Sequence, residues 1–469
     1  MRGLPEIETG ATTRVRRWDA VVLGGALPGI VAAARLGMRG ARVLVLEEAA
    51  AAQRAACLRE PFCFGAMDKD AVLGACLRAL RVPLIDQRRI AHAALALQVV
   101  LPNARLDVGE PALTVDEWVA WGLAKPEPAR NLAGALHEAG LAERDALLDD
   151  PIVSLRGSRR PPEGGRETPE PTPRVRGLPA ALDTAPDRVR RVLSAWSHAL
   201  SNLGGSEPND EARALLLGLP LSGCADTREA GVVNGVLRRR LETLYGEFRT
   251  LPDEFRLVSA GGQPGVAPDA DGSSGEVWVA RALILNAPRA ALAGCVAQDP
   301  IPELLDTEPV AWQRLKLHWR TPRKLVPEAM APRVVLVRDE REPLSGANLI
   351  CLRSFTAEDG QVDLVASTAV HTRANAERLE DEIEALVAGL LPFVDGRLVR
   401  QHDPKPRWDN DDALADPARG AAWPHATELR LATRQPVYAL ERAGVAGLGS
   451  DGDLLLGWRG GDAIAAELG

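Results

Sequence analysis

The stretch from Asp19 to Glu47, DAVVLGGALPGIVAAARLGMRGARVLVLE, admits few folds. An apolar run, Ala20 to Leu23, meets a glycine-rich turn, Gly24-Gly25-Ala26-Leu27-Pro28-Gly29. A helical pattern follows as far as Gly40, and a second apolar run, Arg42 to Leu46, ends on Glu47. Strand, tight turn, helix, parallel strand and acid come in the order of a dinucleotide-binding βαβ unit. Gly24 permits the sharp turn off the first strand, and Gly29 lets the helix close on the sheet. Pro28 falls in the first helical turn, where its missing N–H is no loss. The unpaired N–H groups and positive end of that helix favour a pyrophosphate, placed beside Gly25 and the backbone at Ala26. Glu47 stands at about the 20-residue offset at which an acid bonds an adenosine ribose. Such an acid repels a 2′-phosphate, so FAD or NAD is expected rather than NADP. Ala26 replaces the glycine that ordinarily lets backbone approach the pyrophosphate, which puts a methyl group at the closest point. The alternative is a unit of this type that keeps its glycines only for packing.

A chain of 469 residues has length for two or three domains. Its 46% hydrophobic and 26% charged content are those of an ordinary globular protein. A formal net charge of −8 gives no sign of nucleic-acid affinity. The six cysteines, Cys57, Cys63, Cys76, Cys224, Cys295 and Cys351, form no C-x-x-C pair, and the seven histidines are scattered. That usage fits a reducing compartment with free thiols, and no metal site is expected. No run approaches the roughly 18 apolar residues of a membrane span. Arg14, Arg16 and Arg17 precede a strand pattern rather than a secretory leader. A cytoplasmic protein is expected, with peripheral membrane contact left open.

Further along, helical patterns occupy 70–80, 114–148 with a break near Lys125-Pro126, 187–203, 210–217 and 230–244. In the last of these Val233, Leu237, Leu241 and Leu244 share one face. Short strands are expected at 98–101, 105–108, 255–259, 276–279 and 282–285, with a glycine- and serine-rich hairpin loop at 261–275. Strands at 314–319, 333–337, 348–353 and 362–367 suggest an antiparallel sheet. An amphipathic helix follows at 373–391 with Leu379, Ile383, Leu386, Val387 and Leu390 in period. Residues 156–176, rich in proline, glycine and charge, read as a mobile loop.

Together these pieces resemble the FAD-dependent oxidoreductases of the phytoene desaturase and amine oxidase superfamily. The N-terminal unit carries the resemblance most strongly. The middle segment Leu237 to Pro288, closing on ARALILNAP, and the final GSDGDLLLGWRGGDAIAAEL, Gly449 to Leu468, follow the family's order. The resemblance implies an α/β protein with a Rossmann-like FAD-binding domain assembled from three segments, 1–70, 226–300 and 426–469. A mixed substrate domain with an antiparallel sheet and helices would come from 71–225 and 301–425. This split argues for FAD over NAD, whose dehydrogenases complete the cofactor domain in contiguous halves. The resemblance places Gly24, Gly25, Ala26, Gly29 and Glu47 at the ADP half, with Arg54 on the phosphates and Asn286 and Pro288 beside the cofactor. Asp451 or Asp453, with a turn at Gly457, would approach the flavin half. The chain departs from the family at Ala26, at Ala55-Ala56 in place of paired glycines, and at Tyr245-Gly246.

Flavin supplies the hard chemistry in such enzymes, so no catalytic residue need be evident. Lys316 and His318 share a strand face and line a substrate cavity or a solvated surface. Arg459, Trp458 and Asp462 lie in the closing helix, near the cofactor or merely in its packing. The expected activity is hydride exchange between FAD and a hydrophobic small molecule. The alternatives are a non-catalytic binding or scaffold protein on a flavoprotein fold, and an NAD-linked dehydrogenase.

Overall fold

The structure is a computed structural model that describes residues 3–7, 13–68, 70–150, 152–155, 178–205, 207–226, 229–269, 275–298, 301–394, 396–416 and 427–469. The loop expected at 156–176 lies outside the described residues. In chain order the principal elements are β1 (Arg14–Leu23), α1 (Leu27–Met38), β2 (Val43–Glu48), β3 (Leu95–Leu101), β4 (Ala104–Gly109), α2 (Pro126–Asp149) and α3 (Asp187–Leu200). Next come α4 (Val232–Thr243), β5 (Glu247–Leu251), β6 (Arg256–Ala260), β7 (Gln263–Ala267) and β8 (Glu276–Leu285). The chain ends with β9 (Trp312–Pro322), β10 (Arg333–Val337), β11 (Leu349–Thr356), β12 (Gln361–His371), α5 (Ala376–Leu390), β13 (Val437–Ala439) and α6 (Gly449–Leu468).

One sheet runs β5-β2-β1-β8-β7-β6, with β13 also on β8. The pairs β1–β2, β2–β5, β1–β8 and β8–β13 are parallel. The sheet therefore gathers strands from the start, middle and end of the chain, as the split layout implied. Both faces are covered, as a parallel sheet requires. Val22, Val45 and Ile284 meet α1, α4 and α6 on one side, while Val21, Leu44 and Leu283 meet Phe255 and Trp408 on the other. Two expectations change here. The residues 261–275 are not all loop: Gly261 and Gly262, at φ +60 and +77, make the tight turn, and Gln263–Ala267 returns as β7. The two strands expected at 276–285 are one, because the ladder to β1 continues from Trp18–Ala280 to Ala20–Ala282.

The second sheet runs Val399–Arg400, β9, β12, β11, β10, β3, β4, with Ala413–Leu414 also on β9. It is antiparallel except where β10 lies parallel to β3. Alternation assigns its faces. Val334 packs with Ile383 and Val387 of α5, whereas Val335 packs with Leu136 of α2 and Trp196 of α3. The closing segment also departs from expectation. The glycine-rich GSDG is already the first turn of α6. Gly457 is not a turn but a helix-crossing residue: a Cβ there would stand 2.4 Å from Pro28 O on α1, and at Gly461 it would stand 3.0 Å from Ala32 O.

Candidate functional site

At the turn off β1, Gly24 takes φ +115, and a Cβ on it would lie 2.3 Å from the Asn286 carbonyl. Asn286, fully buried after β8, donates through Nδ2 to Gly24 O and Ala26 O, each at 3.1 Å. A Cβ on Gly29 would collide with that same Nδ2. The structure thus brings Gly24, Ala26, Gly29 and Asn286 together as the sequence grouped them. Asn286 acts there as a brace for the turn. α1 starts without a side-chain cap, with Pro28 in its first turn and no acid there.

Glu47 sits at this turn, so close that a Cβ on Gly25 would fall 2.2 Å from Glu47 Oε1. Its carboxylate is already held. Arg238, from α4, donates through Nη1 and Nη2 to the two oxygens at 2.7 Å each. Arg59 adds a third contact at 3.1 Å. Burial alone would raise this acid, but Arg238 and then Arg59 outweigh it and hold Glu47 below the ordinary carboxylate range. Arg59 also donates to Gly25 O at 2.8 Å and to Asp411 Oδ2 at 2.9 Å, and stands 3.6 Å from Asp409.

Those aspartates belong to the segment 403–412, which straps across the turn. Glu48 anchors it, accepting the backbone N–H groups of Arg407, Trp408 and Asp409. Asp403 accepts the N–H of Ala55 at 3.1 Å. Arg54, expected on a cofactor phosphate, instead pairs with Asp412 at 2.6 Å, and Lys316 meets the other Asp412 oxygen at 2.8 Å. Burial pushes the Lys316 ammonium below its usual value, and it pushes Asp409, beside Asp411, up to about 8. An internal row of carboxylates therefore faces the cations that a bound phosphate would need.

The closing segment repeats the pattern. Asp453 binds Arg442 through two bonds of 2.9 Å, and Arg442 also donates to Asn410 O and Ala413 O. Arg442 stands three residues past the end of β13, ahead of the final helix. Asp451 is buried on the far side against Gly65 and is pushed up to about 7 by burial. Trp458 packs in the core, with the Arg459 guanidinium 4.4 Å from its ring centroid. Arg459 donates to Leu148 O, and Asp462 pairs with Arg35 at 2.7 Å rather than with Arg459.

On β9, Lys316 and His318 share a face as expected, but it is a buried one. His318 lies between two acids: Nδ1 is 2.8 Å from Asp403 and Nε2 is 3.1 Å from Asp363. Cys57 Sγ approaches Nε2 at 3.7 Å. Burial, then Asp363 and Asp403, push the Cys57 thiol up to about 12.

The cavity beside Leu27, at the start of α1, measures about 40 Å³ and is bounded by Arg59, Asp411, Arg442 and Asp453. That is space for a few waters, whereas small-molecule sites run from about 300 Å³ upward. The residues as the structure places them do not accommodate FAD: the ribose acid already carries three arginine contacts and the phosphate space is filled by Arg59 and the strap. A larger cavity of about 260 Å³ lies past the ends of β8 and β13. Pro288, expected beside the cofactor, lines it with Pro309, Val310, Leu414 and Leu440, and Arg289 and Glu441 stand at its wall.

No protein-family model and no curated sequence matches the chain. Solved structures do. An oxidoreductase from Methanosarcina mazei is 14% identical with a TM-score of 0.53, over 94% of this chain and 98% of that one. Putrescine oxidase bound to putrescine is 14% identical with a TM-score of 0.53, over 97% of this chain and all of that one. The PF1083 protein from Pyrococcus furiosus is 13% identical with a TM-score of 0.53, over 97% and 98% of the two chains. The chain has the fold of these three proteins along almost its whole length. The likeness is one of fold.

Proposed function

We propose that the chain is a binding protein built on an oxidoreductase fold, with its dinucleotide site closed by its own charges. The ligand is a hydrophobic small molecule. The observation that carries this reading is Glu47: both of its oxygens are occupied by Arg238, with Arg59 alongside. An acid so engaged offers little acceptor capacity to a ribose. Ligands of open α/β sheets settle beyond the carboxyl ends of the strands, and the 260 Å³ cavity past β8 and β13 is in that position, its walls largely apolar with charged groups at Arg289 and Glu441. The test is the visible spectrum of the purified protein before and after incubation with FAD. The expected result is a colourless protein that takes up none. Retained flavin, with bands at about 370 and about 450 nm, would overturn the reading.

A second reading rests on a separate observation. Gly24, Gly29 and Asn286 keep a braced turn before an uncapped helix, and the fold matches oxidoreductases across the chain. Under it, the protein is an FAD-dependent oxidoreductase of hydrophobic small molecules whose strap leaves when the cofactor enters. Asp409→Asn with Asp411→Asn would then raise FAD uptake by loosening the strap from Arg59. Under the first reading the same variant stays colourless.

A further inference from the structure

We propose that Cys57, His318 and Asp363 form a binding site for a divalent cation of the zinc class. The inference is independent of the fate of the dinucleotide site. Cys57 comes from the short helix Ala56–Arg59 after β2, His318 from β9 and Asp363 from β12. Asp363 pairs across the sheet with Arg320, two residues beyond His318, so both side chains stand on one face. Nε2 of His318 is 3.7 Å from Cys57 Sγ and 3.1 Å from Asp363 Oδ1, and the three donor atoms lie within 4.8 Å of one another. A tetrahedral zinc ion, about 2.3 Å from sulfur and about 2.0–2.1 Å from nitrogen and oxygen, spaces its ligands about 3.4–3.6 Å apart. Two of the separations, 3.7 and 3.1 Å, stand close to those values without an ion.

The surroundings of the three donors point the same way. Asp403 Oδ2 holds Nδ1 of His318 at 2.8 Å. That arrangement fixes the imidazole so that Nε2 presents its lone pair to a metal. Asp363 is steadied in turn by Arg320, with Nε 2.8 Å from Oδ1 and Nη2 3.3 Å from Oδ2. The Arg320 side chain is 47% exposed, so it can keep Oδ2 and release Oδ1. A cavity of about 360 Å³ is lined by His318 and Asp403. Thiolate, imidazole and carboxylate together suit zinc and not magnesium or calcium, which take oxygen ligands. One thiolate and one carboxylate balance the two positive charges. Binding releases the thiol proton to solvent, and three protein donors leave a fourth position for water. Without an ion, a proton on His318 bridging Asp403 and Asp363 is the competing occupant.

The experiment uses the full chain, stripped with a chelator and titrated with cobalt(II). The expected result is one cobalt per chain with a thiolate-to-cobalt absorption in the near ultraviolet, removed by added zinc. The band disappears in Cys57→Ser and persists in Cys224→Ser, which controls for the other buried thiols. Asp403→Asn keeps the band but binds about 10- to 100-fold more weakly, the range for loss of a histidine's carboxylate partner. Circular dichroism confirms that each variant is folded. No band at saturating cobalt, or the same band in folded Cys57→Ser, overturns the site in favour of the bridging proton.

Discussion

Glu47 and Asp451 are both acids at 3% exposure in one fold, and burial treats them oppositely. Glu47, at the end of β2, is held by Arg238 and Arg59 and stays below the ordinary carboxylate range. Asp451, in the first turn of α6, leaves Oδ1 without a hydrogen-bond partner, and burial lifts it to about 7. The difference teaches what closes the dinucleotide site. Desolvation raises a buried acid, and at Glu47 two guanidiniums in contact reverse that; here the chain itself supplies them. The sharpest way to break the contrast is Arg59→Ala. That change strips a partner from Glu47, Asp409 and Asp411 at once. Removing one side of a buried ion pair costs about 3–5 kcal/mol, so the urea midpoint should fall steeply. Arg59→Lys should recover only part, because one ammonium cannot reproduce the fork. A loss under about 1 kcal/mol in Arg59→Ala would mean that the cluster is solvated and the closure is not real.

Asp451 sharpens the other half. Its pKa in the fold, about 7, lies above the unfolded value near 3.9. The folded chain therefore holds this proton more tightly than the unfolded chain does. The group's contribution is full below about pH 4 and is lost as pH rises toward 7. Asp409, lifted to about 8, contributes in the same direction. Asp451→Asn removes the titration without changing the shape of the side chain. The variant should be more stable than the parent at pH 8, on the order of 4 kcal/mol, and nearly equal to it at pH 4. Thermal unfolding at the two pH values checks this. An unchanged difference between the two pH values would show that Asp451 does not titrate in that range.

The βα turn was legible in the sequence because its requirements are local. A positive φ at Gly24, the close approach at Gly29 and the strand periods on either side all fall within a few residues. The three-segment sheet was legible through the order of the later pieces, and α4 and α5 through their apolar period. What closes the turn was not legible. Arg238 lies in a helix read from its apolar face alone, and nothing along the chain marks Asp409 or Asp411; only the fold brings them within 4 Å of Glu47 and Arg59. The closing segment misled for a related reason. Glycine marks a turn and a close helix crossing equally well, and only the contact of Gly457 with Pro28 separates the two. Cys57, His318 and Asp363 have no shared spacing at all, so no ligand pattern along the chain could reveal them.

Two smaller effects complete the ranking. Gly457→Ala places a methyl against the Pro28 carbonyl, a backbone atom that cannot rotate away. The helices must part, at about 1–3 kcal/mol as for other overpacked sites, despite alanine's better helix propensity. A stabilised variant would mean that the crossing is looser than the structure shows. Arg378→Ala removes an ion pair of good geometry, 2.9 Å to Glu382 across one helical turn. Its side chain, however, is 79% exposed. Water already solvates both partners, and Arg338 also approaches Glu382 at 3.4 Å. The expected change is within about 0.5 kcal/mol, and it should shrink further in added salt. Comparing denaturation midpoints of this variant and Arg59→Ala sets an exposed arginine on one carboxylate against a buried one on three. Similar losses in the two would mean that neither depth nor number of pairs governs this fold, and the contrast between Glu47 and Asp451 would lose its physical basis.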